Sequence, residues 1–291
     1  MAPSPYLAAL DRFHELHAEE LADPRLNPEC YSRLLHHDAP TARAVVLCHG
    51  ITSSPPQFAQ LGELFFARGY NVLIPRMPAH GFRDRLTRAP ALLTTRDYTA
   101  HADRVIAIGR GLGAHLTMVG LSVSGILVAW AAQVRDGIDR AVLLAPSFAP
   151  VGVPLPLVPA LSRLALWLPN LFVWWDPRMR ARLQPATSYP WFSTHALAES
   201  FRLAACVVAR AGREPPKTRD IACLVNARDP AVSNRATAAV LRAWQRRGAR
   251  VRAHAFTREL GHLHDFVGPY QRGARPDLVY PSIWELVDQH A

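Results

Sequence analysis

The sequence predicts an α/β fold: a mostly parallel central sheet flanked by helices, interrupted by a mostly helical, apolar insertion. Three observations predict it. Short, nearly continuous apolar runs rich in β-branched residues recur along the chain, as strands buried on both faces do. Segments of helical period alternate with them, and such alternation implies a parallel sheet with helices on both faces. The alternation breaks off over residues 146–220, which are rich in proline and hold four of the seven tryptophans, and then resumes.

Taken in order, Ser4-Pro5 supplies an N-cap followed by proline at the first helical position. Leu7, Leu10 and Phe13 then recur at helical spacing, so residues 5–21 are expected to form an amphipathic helix ending near Asp23-Pro24. A strand is expected over residues 30–36. Arg43–Cys48 (RAVVLC) is the first buried strand, followed by a helix over Phe58–Arg68 that stops at Gly69. Asn71–Pro75 is the second strand, and Thr94 or Thr95 caps a helix over Thr95–Arg110. A strand over His115–Leu121 leads into a helix over Val123–Val134, and Asp139–Ala145 is the next strand. After the insertion come a strand over Ile221–Asn226, a helix over Arg235–Arg247, a strand over Val251–Phe256 and a last helix over Ser282–Gln289. The chain thus divides into an N-terminal helix and leading strand (1–40), a first half of the core (41–145), the insertion (146–220) and a second half of the core (221–291).

Composition narrows the class. With 291 residues, 49% hydrophobic and 19% charged, the chain can bury a sizeable core and is not of disordered type. Formal net charge is +10, but the basic residues are scattered and all arginine except Lys217. No basic run of the kind that marks a nucleic-acid arm is present, so nucleic acid is not an expected partner. Cys30, Cys48, Cys206 and Cys223 have neither metal nor redox spacing, and Cys48 and Cys223 lie in apolar strand runs. Free cysteines of that kind point to a reducing compartment, and residues 1–21 carry four acids and no long apolar stretch, so a cytoplasmic protein is expected. Val151–Trp175 is apolar apart from Arg163, yet Pro154, Pro156, Pro159 and Pro169 interrupt it. Proline removes backbone donors and breaks helices, so a lid or hydrophobic surface segment is expected rather than a membrane span, with peripheral membrane association as a secondary expectation.

The strongest chemical signal is Gly120-Leu121-Ser122-Val123-Ser124-Gly125. It follows a predicted buried strand and opens a predicted helix, the setting of a nucleophile elbow in which a tight turn exposes a serine hydroxyl. Small residues are needed two before and two after the serine; Gly120 and Ser124 hold those places, the second usually being glycine. A serine hydroxyl is a poor nucleophile without a histidine base and a carboxylate that orients it. In this architecture the acid and then the histidine follow in chain order, each after a strand. Asp229 lies three residues beyond the Ile221–Asn226 run; Asp220 precedes that run and would sit at the wrong end. Beyond Val251–Phe256 comes Glu259-Leu260-Gly261-His262-Leu263-His264-Asp265, which offers two histidines. His262, His264 and Asp265 could also chelate a metal, but no further clustered ligand is visible and neither metal nor organic cofactor is expected. Developing negative charge on a substrate carbonyl needs preorganised backbone donors. The Val123 N–H is one candidate, and the Ile51 N–H, in the loop His49-Gly50-Ile51-Thr52-Ser53-Ser54-Pro55, is the other. His80 is expected to be structural, near the pocket floor; His36, His37 and His101 read as surface or helix residues.

From about residue 40 onward these motifs resemble the α/β-hydrolase superfamily, in its esterase and monoacylglycerol-lipase-like branch. His49–Pro55 resembles the oxyanion loop of bacterial carboxylesterases, which implies Ile51 as a donor. Gly69-Tyr70-Asn71-Val72 through Pro78-Ala79-His80-Gly81 resembles the following strand and its His-Gly turn, and Asp229-Pro230-Ala231-Val232 resembles the acid turn. His264-Asp265-Phe266 resembles the catalytic histidine and its following acid, which favours His264 over His262. The elbow departs from the family pattern at Ser124. The resemblance implies that residues 146–220 form a cap whose tryptophans and prolines line an apolar acyl pocket.

The expected activity is hydrolysis of carboxylic esters with a hydrophobic acyl or aryl group, through an acyl-enzyme on Ser122. Acyl transfer or thioester hydrolysis on the same residues is the nearest alternative. A non-catalytic ligand- or lipid-surface-binding protein that keeps the fold is the alternative of another class.

Overall fold

A computed structural model of the chain describes residues 4–175 and 185–288. Strands β1 (Arg33–Leu35), β2 (Thr41–Cys48), β3 (Asn71–Ile74), β4 (Gly113–Leu121) and β5 (Arg140–Leu144) precede the insertion. Within it lie β6 (Phe172–Trp174) and β7 (Trp191–Ser193), and after it β8 (Asp220–Asn226) and β9 (Arg250–Phe256). The helices are α1 (Pro5–Leu21), α2 (Ala59–Phe66), α3 (Thr95–Leu112), α4 (Val123–Val134), α5 (Val158–Trp167), α6 (Thr194–Ala211), α7 (Asn234–Arg246) and α8 (Pro276–Asp288).

Seven strands form one sheet in the order β1-β3-β2-β4-β5-β8-β9. Every pairing is parallel except β1 with β3. Side chains alternate between two apolar layers: Ala44, Val46 and Cys48 of β2 enter one, Val45 and Leu47 the other. Burial on both sides is why these strands read as unbroken apolar runs. Helices α1, α3, α4, α6 and α7 contribute to the first layer, α2 and α8 to the second. From β2 the chain goes to β3 on one side and then to β4 on the other. The loops that leave the carboxyl ends of β2 and β4 therefore diverge and open a crevice, the usual place for a ligand in such a sheet.

The predicted strands and helices of the core recur within a few residues, with instructive exceptions. Only Arg33–Leu35 of the 30–36 stretch is a strand, because Pro28–Cys30 forms a 3-10 turn first. The Phe58–Arg68 helix is a 3-10 turn at Pro55–Phe58 followed by α2. The last helix starts at Pro276, not Ser282, and carries Pro281 inside it; Gln289 lies outside the described residues. Val279, Tyr280 and Ile283 are buried on either side of that proline, so packing offsets the lost backbone bond. Thr94 caps α3 with a full capping box closed by Asp97.

Between β5 and β8 the described part of the insertion holds α5, α6 and the two-stranded antiparallel ribbon β6–β7, which the sequence did not predict. Ala196, Phe201, Leu203, Ala204 and Val207 of α6 pack into the first core layer. Helix α5 leaves Leu157, Leu161, Leu164 and Trp167 exposed at its margins. Among the described residues no helix is long and apolar enough to cross a membrane.

Candidate active site

Strand β4 ends buried, and the chain turns at once into α4. The turn is made at Ser122, whose φ of 60° is unusual for a residue other than glycine. The surroundings hold it there. Ser122 N–H donates to Leu144 O (2.8 Å), and Ser122 O accepts from Ile126 N–H (3.2 Å) and Ser147 N–H (3.1 Å). A Cβ at position 120 would lie 2.3 Å from Ser124 O, which explains why glycine stands two before the serine. At the second small position, Ser124 does something glycine could not: its hydroxyl donates to His49 O at 2.5 Å, joining the start of α4 to the loop after β2.

Ser122 Oγ lies 2.9 Å from His264 Nε2, and His264 Nδ1 lies 2.7 Å from Asp229 Oδ2. A carboxylate accepts only, so Nδ1 carries the proton and Nε2 presents its lone pair to the serine. Asp229 is buried, and its other oxygen accepts from Ala231 N–H (2.8 Å) and Val232 N–H (3.1 Å). His262 is exposed and its Nδ1 donates to Arg228 O (3.2 Å); among the described residues no hydrogen bond links it to Ser122 or Asp229. The structure therefore brings together Ser122, His264 and Asp229, and leaves His262 on the rim.

Two loops are fastened by residues to which the sequence reading gave no such role. Asn226, fully buried at the end of β8, donates through Nδ2 to Gly261 O (3.0 Å) and Leu263 O (2.8 Å). Its Oδ1 accepts from Arg228 N–H (3.0 Å), so one amide ties the aspartate loop to the histidine loop. Gln57 accepts from Gly50 N–H (2.8 Å) and donates to Asp265 Oδ2 (2.8 Å), linking the loop after β2 to the residue beside His264. Both partnerships cross long sequence separations, and no local pattern announces them.

Ile51 lines the cavity from the loop after β2, and Val123 directly follows Ser122 at the start of α4. Val123 opens α4, so its N–H is a free first-turn donor, and among the described residues nothing accepts from Ile51 N–H. The loop that carries Ile51 rests on two buried histidines. His49 donates from Nδ1 to Gly50 O (3.0 Å) and accepts at Nε2 from Met77 N–H (3.0 Å). His80 donates from Nδ1 to Pro78 O (2.9 Å) and accepts at Nε2 from Thr52 N–H (3.2 Å). Both are used as neutral rings. Burial pushes His80 down to about 4, and burial together with the neighbouring His80 holds His49 well below the ordinary histidine range. His80 is structural, as expected. His101, expected at the surface or on a helix, is a buried residue of α3, and burial lowers it to about 3.

The crevice encloses a cavity of about 250 Å³ bounded by Gly50–Ser53, Ser122, Pro230, Ala231, residues 262–265 and Gln271. Among the described residues of the insertion, Trp175 and Ser188 reach it. The expectation that the insertion's tryptophans line the pocket holds for Trp175 and is corrected for Trp167, Trp174 and Trp191. Trp174 and Trp191 face each other across the ribbon (ring centroids 5.4 Å apart), and Trp167 is 83% exposed. Successive residues of an extended chain point to opposite sides, so Trp175 turns to the cavity while Trp174 turns away. Cys48 and Cys223 are buried in strands, and burial raises their thiols to about 12.

Comparison with known proteins agrees with this architecture. The model of the alpha/beta hydrolase family matches residues 45–275, and the chain belongs to that family. Among solved structures, one from a study of LipS and LipT, two metagenome-derived lipolytic enzymes, superposes with a TM-score of 0.68 at 19% identity, covering 91% of this chain and 100% of the other. A monoacylglycerol lipase from Paleococcus ferrophilus gives 0.65 at 19% identity, covering 88% and 98%. A soluble variant of monoglyceride lipase from Saccharomyces cerevisiae gives 0.66 at 12% identity, covering 88% and 90%. At these identities the likeness is one of fold. No match was found among curated proteins.

Proposed function

We propose that the protein is a serine hydrolase of carboxylic esters with a hydrophobic acyl or aryl group. The observation that carries this reading is the continuous chain from Asp229 Oδ2 through His264 (2.7 Å) to Ser122 Oγ (2.9 Å) at the floor of a cavity. In this mechanism His264 Nε2 takes the proton as Ser122 Oγ attacks the ester carbonyl, and Asp229 orients the ring and stabilises the imidazolium. The N–H groups of Ile51 and Val123 donate to the oxyanion, and each is worth several kcal/mol to the transition state. Collapse of the tetrahedral intermediate returns the proton from His264 to the leaving alcohol. Water, deprotonated by His264, then attacks the acyl-enzyme, and as the second tetrahedral intermediate collapses His264 returns that proton to Ser122 Oγ and the acid leaves. Residues 146–220 act as a cap, with Trp175 as the apolar wall against the acyl or aryl group. The lipolytic enzymes among the structural neighbours support ester substrates for this site.

The test is hydrolysis of a p-nitrophenyl ester series of increasing chain length by the wild type and by Ser122→Ala. Turnover that Ser122→Ala abolishes is the expected result, and the preferred chain length sizes the pocket. Undiminished turnover by Ser122→Ala, or none by the wild type on any ester, overturns the reading.

A further inference from the structure

Thr52 has a φ of 68°, the left-handed region that β-branched residues avoid. Ser53 N–H donates to Gly50 O (3.1 Å), closing a turn whose central residues are Ile51 and Thr52. Positive φ at the second central residue alone is the pattern of a type II turn, where glycine is the usual occupant. Glycine would adopt this conformation without strain, so the threonine is there at a cost.

What holds it is an unusual set of partners, for every polar atom of Thr52 is engaged. Its N–H donates to His80 Nε2 (3.2 Å), its carbonyl accepts from Tyr189 N–H (2.7 Å), and its Oγ1 accepts from Trp175 Nε1–H (2.9 Å). Tyr189 and Trp175 both belong to the segment inserted between β5 and β8. They flank the same ribbon, where Trp175 N–H donates to Pro190 O (3.1 Å). The Tyr189 hydroxyl also accepts from Phe82 N–H (3.0 Å), and its ring stacks on His80 (5.8 Å). Strain of this kind persists only where its surroundings over-determine it. Here the surroundings are supplied largely by the insertion, and the strained turn contains Ile51.

We infer that Trp175 and Tyr189 are positioning residues for the oxyanion donor: by clasping Thr52, the inserted segment holds the turn in the form that presents Ile51 N–H to the cavity. This rests on the reading of Ile51 as a donor in an ester hydrolase. Gly50 O, on the same peptide unit as Ile51 N–H, is fixed by His49 Nδ1–H and by Ser53 N–H, so the direction of the donor depends on the turn staying closed. Without the clasp, Thr52 can relax to an extended, negative φ; the turn then opens, and the Gly50–Ile51 peptide that bears the donor loses the Ser53 N–H bond that helps set its direction. The hydroxyl is the group that glycine at this position would lack.

The experiment measures kcat and KM separately on p-nitrophenyl acetate for Trp175→Phe, Thr52→Ser, Thr52→Ala and the Trp175→Phe/Thr52→Ala double variant. Trp175→Phe keeps an aromatic ring at the wall and removes the N–H; Thr52→Ser keeps the acceptor and Thr52→Ala removes it. The expected result is a kcat about tenfold lower in Trp175→Phe and in Thr52→Ala, short of the ~100-fold or greater loss of an oxyanion donor itself. KM stays within about twofold, Thr52→Ser stays near the wild type, and the double variant is no worse than either single one, as for two partners in one contact. Trp175 is partly exposed, so its variant reads the clasp even if Thr52→Ala does not fold. Wild-type kcat in Trp175→Phe, losses that multiply in the double variant, or an effect on KM alone would overturn the inference. If Ser122→Ala is dead while Trp175→Phe keeps full kcat, the clasp fails and the serine mechanism stands. If Ser122→Ala remains active, the mechanism fails and the inference falls with it.

Discussion

The Ser124 hydroxyl donates to the His49 carbonyl at 2.5 Å, so the helix that follows the candidate nucleophile is bonded directly to the loop that carries Ile51. The departure of Ser124 from the family's usual glycine is therefore a gain of a buried hydrogen bond between two halves of the site. Ser124→Ala keeps the size of the residue and removes the donor. The expected outcome is a loss of about 1–3 kcal/mol of stability, the cost of leaving a buried carbonyl unpaired. Denaturant unfolding measures it; an unchanged midpoint would show that the bond contributes nothing.

Gly120 makes the opposite demand. A methyl group there meets the Ser124 carbonyl oxygen at 2.3 Å, and that atom is helix backbone with no freedom to retreat. Gly120→Ala is expected to cost about 3 kcal/mol or more, through overpacking at a rigid site. Circular dichroism melts compare the two proteins, and a melting temperature within a degree or two of the wild type would refute the steric account.

The two neighbouring histidines should separate cleanly. His264 bonds both Ser122 and Asp229, while among the described residues His262 bonds the Arg228 carbonyl alone. His264→Ala is expected to lower kcat on p-nitrophenyl esters by about a thousandfold or more, as loss of a member of a catalytic unit does. His262→Ala is expected to remain within about threefold of the wild type, since a rim side chain without a partner in the chemistry contributes little. A dead His262→Ala beside an active His264→Ala would reverse the assignment.

Acid should unfold the protein through the buried histidines. His80 is held down to about 4 and His101 to about 3 by burial, and His49 is lowered as well. Between the ordinary histidine value near 6.5 and these lower values, the unfolded chain binds protons that the native chain does not, so stability rises with pH across this window. It is level above about pH 6.5 and falls as pH drops towards 4, His80 alone accounting for roughly 3 kcal/mol. Protonation of His80 or His49 would also remove the acceptors of Thr52 N–H and Met77 N–H. Melting temperature measured from pH 7.5 to pH 4 tests this. A level profile would mean that carboxylates or other groups compensate, contrary to expectation.

Gln57 joins Gly50 N–H to the Asp265 carboxylate, and so couples the loop after β2 to the histidine loop. Gln57→Leu preserves much of the volume and breaks both bonds. It is expected to cost about 2 kcal/mol in stability, since the Gly50 donor is buried and left unpaired. On the proposed mechanism it also lowers kcat/KM about tenfold by loosening Ile51 and His264 together. A stable variant with unchanged kinetics would show that the remaining contacts of Asp265 suffice.

The central strands were legible because their signal is local. Val45 to Leu47, Val72 to Ile74, Met118 to Val119 and Ala141 to Leu144 are buried on both faces of the sheet, and a doubly buried strand must be apolar at every position whatever its neighbours. Helix limits were legible where a capping residue or a glycine marks them, as at Thr94. They were misread at Pro281, where tertiary packing holds a helix through a residue that locally argues against one. The serine turn could be found because its constraint is also local: position 120 has no room for a side chain.

The sequence by itself determined the α/β class, the alternation of strand and helix, and the loops that could carry chemistry. Only the tertiary structure decided which histidine meets Ser122, which tryptophan reaches the cavity, and that His49, His80, Asn226 and Gln57 hold the loops in place. The physical reason is range. Burial and periodicity act over a few residues and leave a pattern in the chain. A hydrogen bond such as Gln57 to Asp265 or Trp175 to Thr52 joins residues far apart in sequence, and either end reads locally as one more polar or aromatic side chain.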